Sequence, residues 1–249
     1  MVEQQTNLDN TPVFEQLWKI TNELREKLDT RFELHPNHAT QELQSYSSLT
    51  GEAHGSLNTF SGSEIDWLVH AWLRDSKTGF SNMHLTIWLG SQIRVPHLAY
   101  GFGTVPHLFC YMDYIPRADL FTDLEYLDRY YEPVNQRYLE LQADPCLKEF
   151  VSKTLYMRQA QSRTSLCFTS QITNETITLV RTVAHEMMDR WLMWIDKAEP
   201  VAQEDQQALA ARDLFIRRTI AERDPDNQLA IRLFGAEMTD KLIGALWGS

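Results

Sequence analysis

The order of its hydrophobic patterns is what most constrains this chain. Residues 12 to 28 carry Phe14, Leu17, Trp18, Leu24 and Leu28, mostly at helical spacing, behind Thr11-Pro12. Proline at the first helical position after a hydroxyl residue marks a helix start. From 47 to 115 the pattern changes to short runs rich in β-branched and aromatic residues, split by Gly, Ser, Asn and Pro. GSLNTF, NMHLTIWL, HLAYGF and HLFCYMDYI read as strands of a largely antiparallel sheet, and EIDWLVHAWL as a strand or a helix. Residues 119 to 143 look helical with an interruption at Pro133, and LYMRQ and SLCFTSQI read as a further strand pair. From 176 onward Ile177, Val180, Val183, Ala184, Met187, Trp191 and Ile195 form an apolar stripe at three- and four-residue spacing. A second helix runs from about 204 to 222 and stops at Asp224-Pro225-Asp226-Asn227, and a short one follows Gly235. Helix, then sheet, then helices predicts an α+β fold: a single α/β/α sandwich over 1–249, with helical segments at 1–45 and 176–249.

Within the strand region the phrase VPHL occurs twice, at 95–98 and 105–108, with Gly-Phe-Gly between. No period of 20 to 50 residues accompanies it, so it is no solenoid signature. As two strands around Thr104-Val105-Pro106 the stretch is a hairpin. His97, Ala99, Gly101 and Gly103 then share one face, Leu98, Tyr100 and Phe102 the other, and His107, Phe109, Tyr111 and Asp113 share a face of the return strand. A strand face of alanine and glycines marks a bulge or the close approach of a ligand, so the hairpin is a candidate pocket wall. A metal pair from His97 and His107 gains no support from spacing. HEMMD at 185–189 lacks the second histidine of a zinc-protease helix and reads as a surface or capping pair. No dinucleotide fingerprint, phosphate loop or GxSxG is present.

Composition removes several function classes. A net charge of −11 argues against nucleic acid, although Arg212, Arg217, Arg218, Arg223 and Arg232 gather near the C-terminus as a docking patch or a solvated helix face. Cys110, Cys146 and Cys167 have no CxxC spacing, which predicts neither disulfides nor a zinc knuckle. The polar start MVEQQTNLDNTPV lacks a signal core or transit pattern, and no apolar run reaches a membrane span. The reading is a protein of a reducing cytoplasm.

Several phrases, in order, resemble the red chlorophyll catabolite reductases within the wider superfamily of ferredoxin-dependent bilin reductases. They are SGSEIDWLVHAWLRDSKTG (61–79), DYIPRADLFTDLEYLDRYYE (113–132), TLYMRQAQSRTSLCF, WLMWIDK and RDLFIRRTIAERD…FG, covering the chain from about residue 50 to its end. The resemblance implies an open-chain tetrapyrrole between the sheet and the C-terminal helices. It also implies electrons from reduced ferredoxin and no bound flavin, nicotinamide or metal. Each electron added to a conjugated tetrapyrrole must be matched by a proton, so the protein has to supply positioned donors in a partly apolar pocket.

By that resemblance His84, in NMHLTIWL, and Asp224, after TIAER, are the candidate proton donors. The family keeps a carboxylate seventeen residues beyond the histidine, and this chain has Gly101 there. Glycine cannot donate a proton; it can only make room. His97 and His107 flank the vacancy as substitutes and substrate contacts, and Arg158 on the expected LYMR strand could pair with a pigment propionate. Asp113 reads as a turn or strand-end residue. The expected function is a ferredoxin-dependent reductase of a linear tetrapyrrole, a bilin such as biliverdin or a red chlorophyll catabolite. The alternative is a tetrapyrrole carrier without catalysis. Expected partners are ferredoxin, the pigment and, as an option, a second copy of the chain. The expected setting is a bacterial, cyanobacterial cytoplasm, or a plastid stroma if a leader has been trimmed.

Overall fold

The structure, a computed structural model, describes residues 11–104 and 107–248. The chain runs α1 (Thr11–Arg31), β1 (His35–Pro36), a 3-10 turn (His38–Gln44), β2 (Tyr46–Ser47), β3 (Ala53–Ser61), β4 (Ile65–Asp75), β5 (Phe80–Leu89), β6 (His97–Thr104) and β7 (Leu108–Ile115). It continues through α2 (Leu124–Tyr130), α3 (Glu132–Gln142), β8 (Lys148–Glu149), α4 (Leu155–Ala160), β9 (Leu166–Ser170), α5 (Asn174–Asp196), α6 (Gln203–Arg223), α7 (Asn227–Phe234) and α8 (Ala236–Trp247). The strands form one sheet in the order β1-β3-β4-β5-β6-β7-β9-β8, with β2 on the edge of β3. Every pairing is antiparallel.

The pleat sorts the sheet into two faces, as the alternation in HLAYGFG predicts. Met83, Leu85, Leu98, Tyr100, Phe102 and Met112 are buried against α1 and α5. The whole stripe anticipated on α5 is buried there as well. Polar tips on this face find backbone partners: Tyr100 Oη donates to the Ala184 carbonyl at 3.0 Å and Trp191 Nε1 to that of Pro96 at 2.8 Å. The opposite face, with Val69, Ala71, Trp88, Ala99 and Ile115, carries α6, α7 and α8.

His70 is the odd residue on the α1 face. It stacks on Trp18 with ring centroids 4.4 Å apart, and its Nε2 is buried with no hydrogen-bond partner among the described residues. Burial, with Arg25 nearby, pushes its pKa down to about 4, against a smaller upward pull from Asp29. The folded state therefore excludes a proton that an unfolded histidine binds below about pH 6.5. Stability from this group is complete above that pH and falls as pH drops toward 4. His70→Leu is expected to spare the protein about 2 kcal/mol of the stability lost between pH 7 and pH 5, read as the difference between urea unfolding curves at the two pH values.

Three sequence expectations change. EIDWLVHAWL is strand β4. LYMRQ is helix α4 and pairs with no strand, and β9 instead pairs with β7 and β8. Leu, Met, Arg, Gln and Ala are strong helix formers without β-branching, so propensity overrides the apparent alternation. Helix α7, between Pro225 and Gly235, was not anticipated; Gly235 ends it at φ 78, a backbone setting that favours glycine. Pro133 lies in the first turn of α3, where its missing N–H costs no hydrogen bond. The hairpin tip at Val105-Pro106 and the N-terminal residues 1–10 lie outside the described residues.

Candidate functional site

Helix α6 is unusual in what it turns toward the sheet. Beside Leu209, Ile220 and Ala221 it buries Asp213 and Arg217, four residues apart on one face. Asp213 accepts from Arg117 Nε at 3.0 Å and Nη2 at 2.6 Å, and Arg117 Nη1 also reaches the carbonyls of Gly90 and Ile93. Arg217 Nη2 donates to Asp66 at 2.6 Å. These ion pairs hold α6 against the sheet, and Asp224 caps its C-terminal end.

There a cleft of about 950 Å³, counting its open mouth, lies between β3–β5 and α7–α8. Apolar walls come from Leu57, Leu242 and Trp247, and His84, Asp224 and Asp226 converge on it. Asp224 is half-buried at the C-terminus of α6 and Asp226 leads into α7; the Asp226 N–H donates to Asp224 Oδ1 at 2.9 Å. Burial raises the pKa of Asp224, against that hydrogen bond. Burial and the neighbouring Asp224 raise that of Asp226, and His84 lowers it. Asp226 is solvent-exposed and Asp224 half-buried, so burial acts more on Asp224. His84 is pushed down to about 4 by burial, with Asp226 pulling it up. It is a neutral imidazole at pH 7, able to donate and accept hydrogen bonds. An acidic pair facing a neutral imidazole across an apolar slot can hold a proton and pass it to a bound molecule.

Of the residues singled out from sequence, His84 and Asp224 meet in this cleft. Asp226 was missed, though its signal was the DPDN turn itself, which places two carboxylates on one tight corner. Gly101 lies in register with His84 but does not line the cleft; a side chain there would meet Tyr111 at 3.6 and 3.7 Å, ordinary contact. His97 is not a cleft residue. It is 1% exposed beneath α6, accepts from the Leu89 N–H at Nδ1 (2.9 Å), and places Nε2 3.3 Å from Asp213 without regular hydrogen-bond geometry. His107 is exposed just before β7, at the opposite end of β6 from His97, so the two histidines form no pair. Arg158 is exposed on α4 rather than on a strand, and donates to the Ser152 carbonyl at 2.7 Å, away from the cleft. Asp113 is no strand-end residue: it is 1% exposed inside β7.

His185 meets Glu23 at 3.1 Å, a half-buried pair between α5 and α1, and Asp189 instead pairs with Lys27. No metal-ligating cluster exists among the described residues, and the three cysteines are free. Arg217 drops out of the basic patch by burial, leaving Arg218, Arg223 and Arg232 exposed. No described helix is long and apolar enough to cross a membrane.

A sheet of this topology with a cleft under its C-terminal helices defines the bilin-reductase fold. The structure superposes on phytochromobilin synthase from tomato in complex with biliverdin with a TM-score of 0.79, at 16% identity, covering 90% of this chain and 80% of that one. The family model for red chlorophyll catabolite reductase matches residues 17–247, and the chain belongs to that family. It is 25% identical over 214 residues to red chlorophyll catabolite reductase 1, chloroplastic, of Oryza sativa subsp. japonica, covering 79% of this chain and 65% of that one. It is 24% identical over 175 residues to red chlorophyll catabolite reductase of Hordeum vulgare, covering 65% of this chain and 85% of that one. The chain thus spans just under two-thirds of the rice relative's length.

Proposed function

We propose that this protein reduces a linear tetrapyrrole, with red chlorophyll catabolite as the first candidate and biliverdin as the second. The observation that carries the reading is the convergence of His84 with the Asp224–Asp226 pair in a largely apolar cleft between the sheet and the C-terminal helices. The family supports it, and both relatives bear the name of a red chlorophyll catabolite reductase. The pigment lies in the cleft against the sheet. Electrons come one at a time from reduced ferredoxin, which docks at the exposed arginines, and no cofactor of the protein's own is used. Each electron makes the pigment more basic, and the carboxyl pair supplies the proton while His84 hydrogen-bonds the polar edge of the pigment. Both relatives are plant proteins and the rice one is chloroplastic by name, which favours a plastid over the cyanobacterial cytoplasm expected from sequence.

A carrier that binds the pigment without reducing it is the second reading, favoured by the glycine at position 101, which has no proton to give. Anaerobic spectroscopy separates the two. The protein is mixed with each pigment, the absorption bands are recorded, and reduced ferredoxin is added. A bound spectrum that converts to that of a shorter conjugated system establishes the reductase and its pigment. A bound spectrum that ferredoxin leaves unchanged establishes the carrier, and no spectral change with either pigment overturns both readings.

A further inference from the structure

Gly101 lies in register between two residues on the same face of the sheet, His84 on β5 and Tyr111 on β7. Among the described residues, the only side chain that a Cβ at 101 would meet is Tyr111, at its Cβ and Cδ1, so the phenol ring runs alongside the bare position. Tyr111 packs against the cluster of Trp88, Ala99 and Ile115, which Trp247 of the cleft wall also covers. Its hydroxyl donates to Asp113 Oδ2 at 3.1 Å. Asp113 is in turn held by the Ser162 N–H at 2.9 Å and the Ser162 hydroxyl at 2.5 Å. A carboxyl 1% exposed, with a phenol on one side and a backbone N–H on the other, does more than close a strand. Burial pushes its pKa up to about 6, against the hydrogen bonds from Ser162 and Tyr111. The other titratable groups that interact with it are the Tyr131 phenol and the Cys167 thiol, both neutral at pH 7 because burial raises their pKa values.

We propose that Tyr111 is a second proton donor of the reduction, on the far side of Gly101 from His84, and that Asp113 positions and reprotonates it. The proposal rests on the reductase reading above. Reducing one double bond takes two electrons and two protons, and a donor on the same sheet face beyond Gly101, outside the cleft's lining, can serve an atom of a pigment whose edge extends from the cleft over the bare position. Ferredoxin delivers one electron and leaves a pigment radical anion. The Tyr111 O–H bond breaks, and its proton bonds to the pigment. The phenolate oxygen takes the proton of the Asp113 carboxyl, and the resulting carboxylate keeps its two Ser162 hydrogen bonds until solvent reloads it. The second electron is matched by a proton from the Asp224 side. A neutral phenol is too weak an acid to act unaided, and the carboxyl next to it removes the cost of leaving a buried phenolate.

Tyr111→Phe tests this directly. It is expected to keep pigment binding, read from the bound spectrum, within about twofold, while turnover with reduced ferredoxin falls by about 10²-fold or more. Adding Gly101→Asp to Tyr111→Phe places a carboxyl on the bare position and is expected to recover at least about tenfold of the loss, since a positioned carboxyl is itself a competent general acid. The wild-type kcat should fall as pH rises through about 6, as Asp113 loses its proton. Ser162→Ala, which removes one donor to the carboxylate, should move that limb to higher pH, and a purely structural role for Asp113 would leave it in place. Tyr111→Phe turning over at the wild-type rate, or a limb that Ser162→Ala does not move, overturns the proposal. A wild-type protein that binds pigment but never turns it over overturns the reductase reading instead.

Discussion

Arg117→Met is expected to cost about 3–5 kcal/mol of folding stability, because it removes one partner of a buried ion pair and leaves the other charged. The guanidinium side chain is 0% exposed and the Asp213 side chain 8%, so water screens the pair little. Burial alone would raise the Asp213 pKa, but His97 and the Arg117 charge outweigh it and hold it below the usual carboxylate range. Without Arg117 the carboxylate keeps only the partly exposed Arg212, whose Nη1 lies 3.4 Å from Oδ1, and a neutral His97, whose own pKa burial and the arginine charges push down to about 3 despite the Asp213 contact. The carbonyls of Gly90 and Ile93 lose their donor as well. The companion variant Arg117→Met/Asp213→Leu removes both charges and is expected to be more stable than Arg117→Met alone. Urea unfolding of the three proteins measures this. A single variant within about 1 kcal/mol of wild type would show that the clamp carries little of the fold's stability.

Asp224→Asn is expected to bind pigment with an unchanged spectrum and to turn it over about 10²–10⁴-fold more slowly. The amide keeps the size of the side chain and can still accept from the Asp226 N–H, so the corner between α6 and α7 persists. What it loses is the proton. Burial favours the protonated form of both carboxyls, more so for Asp224 than for the exposed Asp226, and His84, at about 4, is unprotonated at neutral pH and cannot take over as an acid. His84→Gln should weaken pigment binding more than it slows turnover, because its assigned part is a hydrogen bond. Turnover and the bound spectrum, measured side by side, decide both. An Asp224→Asn protein as fast as wild type would remove the carboxyl pair from the chemistry.

Much of this site was legible in the sequence because local patterns encode it. NMHLTIWL alternates cleanly, so His84 had to share a face with Thr86 and Asn82. Asp224 stands before a proline, where a helix must stop, which put it at the tip of α6. Arg158 misled because six residues of good helix former look like a strand when written beside a real one. His97 misled for a different reason. Its strand face was read correctly, but what covers that face at its end of the sheet is α6 with Asp213 and Arg217, and no local pattern announces a partner more than a hundred residues away. Asp113 was read as punctuation at a strand end, and its burial depends on Ser162 folding back over it.

By itself the sequence determined the succession of helix, sheet and helices, the two faces of the β6–β7 hairpin, and the family. Each of these depends on residues a few positions apart and on the steric rules of helix and strand. Only the tertiary structure decided which candidates share a cleft. It set Asp226 beside Asp224 across from His84, buried His97 under α6, left His107 and Arg158 in solvent, and laid Tyr111 alongside Gly101. Those outcomes turn on which surfaces meet when α6, α7 and α8 close over the sheet, and burial on closure is also what moves their pKa values.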